Sequence, residues 1–328
     1  MLKVIISVLF LALVSTAVGY QQLQATLNSP LRVTDDTQFE VEKGTGFNQL
    51  CHIWQEKKWL NNCWRFQILA KLDPSLTNLK AGLYTLENTS VIDNIRKINQ
   101  GQQVNFSFTI IDGQTYHDVL KTVFNAPNLK NDLKLARLSE QILNNEDSLE
   151  GWLFPDTYHY HFNDTASGVL KRAAQKMQQT LKQAWQNRAD NLPYDTPYEA
   201  LIMASIIEKE TALVSERPLI ASVFVNRLNT NMRLQTDPTV IYGLGKKFDG
   251  DIKYKDLRDY TPYNTYRIDG LPPTPIAMPS KEAILAAVNP PQSDYLYFVA
   301  KGDGSHKFST TLKQHNAAVK TYILNKNN

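Results

Sequence analysis

Two carboxyls two positions apart, Glu208 and Glu210, end an otherwise apolar run: Ala200-Leu201-Ile202-Met203-Ala204-Ser205-Ile206-Ile207-Glu208-Lys209-Glu210-Thr211. A carboxyl held beside apolar neighbours is disfavoured as an anion, so it tends to keep its proton toward neutral pH. An acid of that kind can protonate a poor leaving group. Helical spacing puts Glu208 on the face of Ser205, Ala204 and Leu201, and Glu210 on that of Met203, Ile206 and Ile207. Periodicity does not choose between the two. For either one, a buried ion pair with Arg217 or Arg227 is the structural alternative to catalysis.

Other groups could hold a polyhydroxylated substrate. The stretch Leu149-Glu150-Gly151-Trp152-Leu153-Phe154-Pro155-Asp156-Thr157-Tyr158 sets Phe154, Tyr158 and Trp152 beside two acids. Sugar rings stack on such aromatic faces, and packing of the aromatics against a sheet is the competing explanation. Leu234-Gln235-Thr236-Asp237-Pro238 leads into a helix start with Asp237 as N-cap and Pro238 at the first helical position. Asp237 can therefore be a cap alone. Tyr263-Asn264-Thr265-Tyr266 precedes the rigid turn Gly270-Leu271-Pro272-Pro273. His159 and His161 share a strand face without a third ligand, and Cys51 and Cys63 have no histidine pair at ligand spacing, so no metal site and no cofactor are expected.

The elements that must position these residues are legible in outline. Thr196, Pro197 and Glu199 form a Thr-x-x-Glu capping box with proline at the first position, so a helix starts there and carries Glu208 and Glu210 at its far end. A further helix covers 218–228. Helical patterns also fall at 115–124, 131–144 and 166–188, with a strand at 104–111. Residues 38–102 read as a compact unit of strand, two helices (47–57 and 62–72), closing strand and helix (90–99). That order is similar to LysM-type modules, small folds that bind N-acetylglucosamine-containing glycans. Tyr295–Ala300 and His306–Ser309 read as a hairpin, followed by a last amphipathic helix.

The 328-residue chain has 42% hydrophobic and 20% charged residues and a net charge of +3, which excludes wholesale disorder and gives no nucleic-acid surface. After Lys3 no charge appears until Arg32, and 4–18 is an apolar core that suits either a membrane anchor or a cleaved signal. Either way the bulk of the chain leaves the cytoplasm. In an exported chain Cys51 and Cys63 can pair or stay as buried thiols, and both alternatives stand.

Five motifs carry a resemblance when taken in order: Leu149 to Tyr158, Ala204 to Thr211, Val223-Phe224-Val225-Asn226-Arg227-Leu228, Leu234 to Gly243, and Tyr263 to Tyr266 with Gly270 to Pro273. Together, after an N-terminal hydrophobic segment, they closely resemble the endolytic murein transglycosylases, the YceG-like family. The resemblance implies an α+β fold: a transmembrane helix (1–20), a linker (21–37), a LysM-like subdomain (38–102) and a mixed α/β two-layer catalytic domain (103–328). It implies a single-pass inner-membrane protein whose periplasmic part cuts nascent peptidoglycan strands between N-acetylmuramic acid and N-acetylglucosamine. The expected product carries a 1,6-anhydro-muramyl end, and the cut would terminate strand elongation. Peptidoglycan synthases are implied neighbours that no motif marks. The resemblance assigns the acid to the first Glu of Glu-Lys-Glu-Thr, Glu208. Gln235, Asn226 and Tyr266 are then expected to donate hydrogen bonds to the glycan, Glu150 and Asp237 to support or bind sugar, and Phe154, Tyr158, Tyr263 and Asn264 to line the site. Two alternatives compete with this reading: a hydrolase pairing Glu208 with Glu150 or Asp237, and a membrane-tethered glycan-binding scaffold that does not cut.

Overall fold

The computed structural model describes residues 2–144 and 148–324, so positions 1, 145–147 and 325–328 of the expected boundaries lie outside the described residues. The chain divides into two compact units, one running to Phe106 and including His159–Asp164, the other made of Ser107–Tyr158 and everything from Thr165 on.

The first unit begins with helix α1 (Leu2–Leu27), whose apolar part is long enough to cross a membrane. Its last turns turn inward, with Leu27 buried and Leu23 packed on the same core. Strand β1 (Thr37–Val41) pairs antiparallel with β2 (Gly82–Leu86), Phe39 opposite Tyr84. Helices α2 (Phe47–Glu56) and α3 (Trp64–Leu72) lie between them in sequence, and α4 (Val91–Gln100) follows. The alternating inward side chains of the strands meet Trp54, Phe66, Ile95 and Ile98, all almost fully buried. Ser90 caps α4, and Gly101 ends it in the left-handed conformation (φ 74°) that glycine adopts without Cβ strain. Cys51 and Cys63 are disulfide-bonded with Cα atoms 5.6 Å apart, which ties α2 to the start of α3.

Strands β3 (Asn105–Ile110) and β4 (Asp156–His161) form a two-stranded sheet. Within the second unit, α5 (Tyr116–Phe124) starts at a capping box of Thr115 and Asp118, and α6 (Leu138–Leu143) is short. The helix expected over 131–144 is thus mostly absent. Asp132 accepts hydrogen bonds from Ser167 N and Oγ, while Gln141 bonds Asp132 O and Lys134 N, so side chains hold 131–134 out of helical geometry.

Helix α7 (Ala166–Gln186) and helix α8 (Pro197–Glu210) follow, the latter opening on the expected Thr196/Glu199 capping box. Every residue from Ala200 to Ile207 is buried, because α7, α9 (Arg217–Asn229), α10 (Asp237–Leu244) and α11 (Lys281–Val288) all pack around α8. Hairpin β5 (Tyr297–Ala300) and β6 (His306–Ser309) adds Phe298 and Phe308 to that core, and α12 (Leu312–Val319) follows. Among the described residues the strands of this unit lie in two-stranded ribbons, so helices carry the packing that fixes the end of α8.

Candidate active site

The two acids at the end of α8 meet different surroundings. Glu208 and Arg217 form an ion pair at 2.7 Å, with side chains only 5% and 6% exposed. The other carboxylate oxygen accepts from Ser280 Oγ at 2.5 Å and Ser280 N at 3.0 Å. Arg217 also donates to Ser280 Oγ, so the three groups form a closed triangle. The structural alternative of a buried ion pair is therefore realised at Glu208. Ser280 also lines a cleft of about 620 Å³ together with Asp112, Phe154, Lys176 and Glu282.

Among the described residues no ion pair reaches Glu210. It is half-buried, and the Thr236 hydroxyl donates a hydrogen bond to it. Burial pushes its pKa up to about 7; the Thr236 hydrogen bond opposes this, the Asp237 charge adds to it, and His306 and Arg227 pull it back. A carboxyl so tuned holds a proton near neutral pH and can still release it.

The surroundings of Glu210 are built from three stretches. Arg227 on α9 donates to Leu234 O at 2.6 Å and Leu296 O at 2.7 Å, fixing the 233–236 loop and the approach to β5. Thr236 N donates to Thr265 Oγ1 at 3.0 Å, and Gln235 N donates to Thr265 O at 3.2 Å, which ties that loop to the 263–266 turn. Tyr266 donates its hydroxyl to Asp237 at 2.7 Å. Gln235 holds a left-handed backbone (φ 49°) and is exposed, as is Asp237. A non-glycine residue in that region is strained, and such strain concentrates at functional sites.

One expected cap moves. Thr236 rather than Asp237 precedes α10, and Thr236 makes no capping bond because its hydroxyl faces Glu210. Asp237 is the first helical residue, where a carboxylate suits the helix dipole and stays available to Tyr266.

The other expected site residues divide into three groups. Gln235, Asp237 and Tyr266 come together with Glu210 through the contacts above. Asn226, Asn264 and Tyr158 are occupied in packing. Asn226 Nδ2 donates to Ser293 O and Tyr295 O, Asn264 Nδ2 donates to Asp256 O and Asp259 O, and buried Tyr158 donates to Phe154 O at 2.7 Å. Phe154 is half-buried under Lys176, whose Nζ lies 4.8 Å from the ring centre. Tyr263 packs edge-on to Tyr242 and shares a hydrogen bond with Thr274.

Glu150 forms a third arrangement. It is fully buried and accepts from Tyr242 Oη and Tyr116 N, both at 3.0 Å, bracing α10 against the start of α5. Burial pushes its pKa up to about 7 against those hydrogen bonds. Thr236 and Thr265 were not singled out by sequence. Both lie inside the quoted motifs, but nothing in their type or spacing marks a hydroxyl aimed at Glu210.

Comparison with known proteins adds four findings. The profile of the YceG-like family matches residues 39–321. A Bacillus subtilis protein named endolytic murein transglycosylase is 31% identical over 308 residues, which is 88% of this chain and 85% of that one. A Streptococcus pneumoniae protein of the same name is 29% identical over 99% of this chain, which spans 66% of its length. A crystal structure of a yceG-like protein from Listeria monocytogenes superposes with a TM-score of 0.54 at 31% identity, covering 87% of this chain and 99% of that one.

Proposed function

This chain belongs to the YceG-like family, and we propose that it is an endolytic murein transglycosylase in which Glu210 moves the proton. The names of its relatives support the activity. The choice of acid rests on one observation: Glu210 is desolvated, has no cation at bonding distance among the described residues, and has its pKa raised to about 7, whereas Glu208 is ion-paired in a buried triangle with Arg217 and Ser280.

The reaction balances with a single carboxyl. Protonated Glu210 donates to the glycosidic oxygen as the C1–O bond breaks, and positive charge develops on the muramyl ring. The carboxylate left behind accepts the proton of the C6 hydroxyl while O6 bonds C1. No water is consumed, the acid is regenerated, and the product carries a 1,6-anhydro end. In this reading Gln235 donates to sugar oxygens, the Tyr266 oxygen accepts from a sugar hydroxyl, and Asp237 orients Tyr266 and helps keep Glu210 protonated. Glu208 and Glu150 act at a distance by fixing the ends of α8, α10 and α5. In this reading α1 anchors the chain in the cytoplasmic membrane with the residues after it on the outer side, where a Cys51–Cys63 disulfide is stable. Cutting nascent strands there would end their elongation.

Mass spectrometry of glycan strands digested by the full-length protein tests the reaction type. Anhydro-muramyl ends are expected. Reducing ends, heavier by one water, would indicate a hydrolase, and no new ends would indicate a scaffold.

A further inference from the structure

The first unit carries a surface that the cutting reaction does not use. Helix α3 buries Phe66 and Leu69 but leaves Trp64, Ile68 and Leu72 exposed at 54%, 39% and 62%. Their spacing of four puts them in one stripe along the helix. A helix with one apolar face buried in its own core and a second apolar stripe facing outward is unfavourable in water alone. Basic residues flank the stripe, with Arg65 over the Trp64 ring at 5.3 Å and Lys57 over Trp59 at 5.2 Å.

Beside the stripe lies a cleft of about 370 Å³ whose wall includes Thr26, Ser29, Arg32, Trp59, Asn61 and Arg65. Arg32 donates to Asn61 Oδ1 at 2.9 Å and Arg65 to Thr26 Oγ1 at 3.3 Å. Among the described residues neither guanidinium is paired with a carboxylate, so the cleft holds uncompensated positive charge and hydroxyl and amide donors.

Position says what meets this face. Helix α3 packs on α1, and Arg65 touches α1 at Thr26. The apolar segment of α1 gives way to Tyr20, Gln21 and Gln22. Thr26 stands five residues beyond Gln21, about 8 Å along the helix. The headgroup layer of a bilayer is roughly 5–7 Å deep on each side, and an arginine side chain reaches several ångströms further. With α1 across the membrane, as proposed above, the cleft and the start of α3 come within reach of the lipid surface. Exposed tryptophan and arginine are the residue types that settle at that level.

We propose that this face is a membrane-docking site. The cleft takes the phosphate of an anionic phospholipid between Arg32 and Arg65, and Trp64, Ile68 and Leu72 enter the interfacial layer. Docking would hold the first unit against the bilayer rather than leaving it free on a tether. Basic residues at an anionic surface act cooperatively with apolar insertion in this way.

The test uses the full-length chain in nanodiscs of phosphatidylcholine with or without phosphatidylglycerol. Lipids brominated near the top of the acyl chain should quench tryptophan fluorescence, and Trp64→Phe, a mild change at an exposed site, should remove most of that quenching. Native mass spectrometry of protein released from mixed nanodiscs should show phosphatidylglycerol retained several-fold above its share. Arg32→Gln with Arg65→Gln should return the ratio to that of the bulk lipid, and the Arg32→Lys, Arg65→Lys pair should restore enrichment. Quenching that does not depend on Trp64, or lipid retention indifferent to both arginines, would overturn the proposal. Neither result bears on which acid cuts glycan.

Discussion

Glu208 and Glu210 leave the same helix two residues apart, and the protein treats their charges in opposite ways. Around Glu208 it supplies a guanidinium, a hydroxyl and a backbone N–H, all buried. Around Glu210 it supplies one threonine hydroxyl, a nearby aspartate and a desolvating wall. A compensated charge fixes structure, because either partner alone would be a bare ion in the interior. An under-compensated one costs stability but keeps a proton where chemistry can use it. In the proposed function the chemistry lies on the Glu210 side of α8 and the scaffold on the Glu208 side.

The contrast should break first at Glu208. Glu208→Ala leaves Arg217 buried without its partner, which costs about 3–5 kcal/mol, read by urea unfolding of the full chain in detergent. Glu210→Ala removes no ion pair and should cost about 1 kcal/mol or less. Equal losses would mean the two sites are not built differently.

How much of this contrast sequence could carry is clear from particular residues. The capping box at Thr196 marks the start of α8, and the apolar run from Ala200 marks its burial, because both are local patterns. Ion pairing of Glu208 with Arg217 was foreseeable only as one of several pairings, since Arg227 sits in the same motif and turns instead to backbone carbonyls. Family resemblance points to Glu208, and the desolvation of Glu210 depends on the 233–237 loop folding back under Thr265, a long-range contact without a sequence period. The short α6 shows the same limit. Helical spacing over 131–144 is overridden by Asp132 bonding Ser167 thirty-five positions away.

The second test is pH. Glu150 and Glu210 both have folded-state pKa values raised to about 7 from an ordinary 4.5. Such acids bind their proton more tightly in the folded state, so between these values stability falls as pH rises, and the loss is complete above about pH 7. A shift of that size corresponds to up to roughly 3 kcal/mol for the fully buried Glu150. Glu150→Gln should flatten much of the decline in melting temperature between about pH 5 and about pH 8. An unchanged slope would remove Glu150 from the account.

A smaller effect sharpens the assignment of Glu210. Asp237→Asn removes a charge that raises the Glu210 pKa. The alkaline limb of the activity profile should then move down by about one pH unit or less, while Tyr266 keeps a hydrogen-bond acceptor. A limb that does not move would show that Asp237 does not act on the titrating group.

The most direct measurement compares Glu210→Gln with Glu208→Gln, each confirmed folded by its melting curve, in the release of anhydro-muramyl ends from purified peptidoglycan. Loss of a general acid should lower turnover by about 10²–10⁴-fold in Glu210→Gln. Glu208→Gln, which keeps one acceptor oxygen, enough for Arg217 or for Ser280 but not for both, should stay within about tenfold of the parent, the range of a positioning change of about 1.4 kcal/mol. The reverse order, with Glu210→Gln active and Glu208→Gln silent, would contradict the account and return the proton to Glu208.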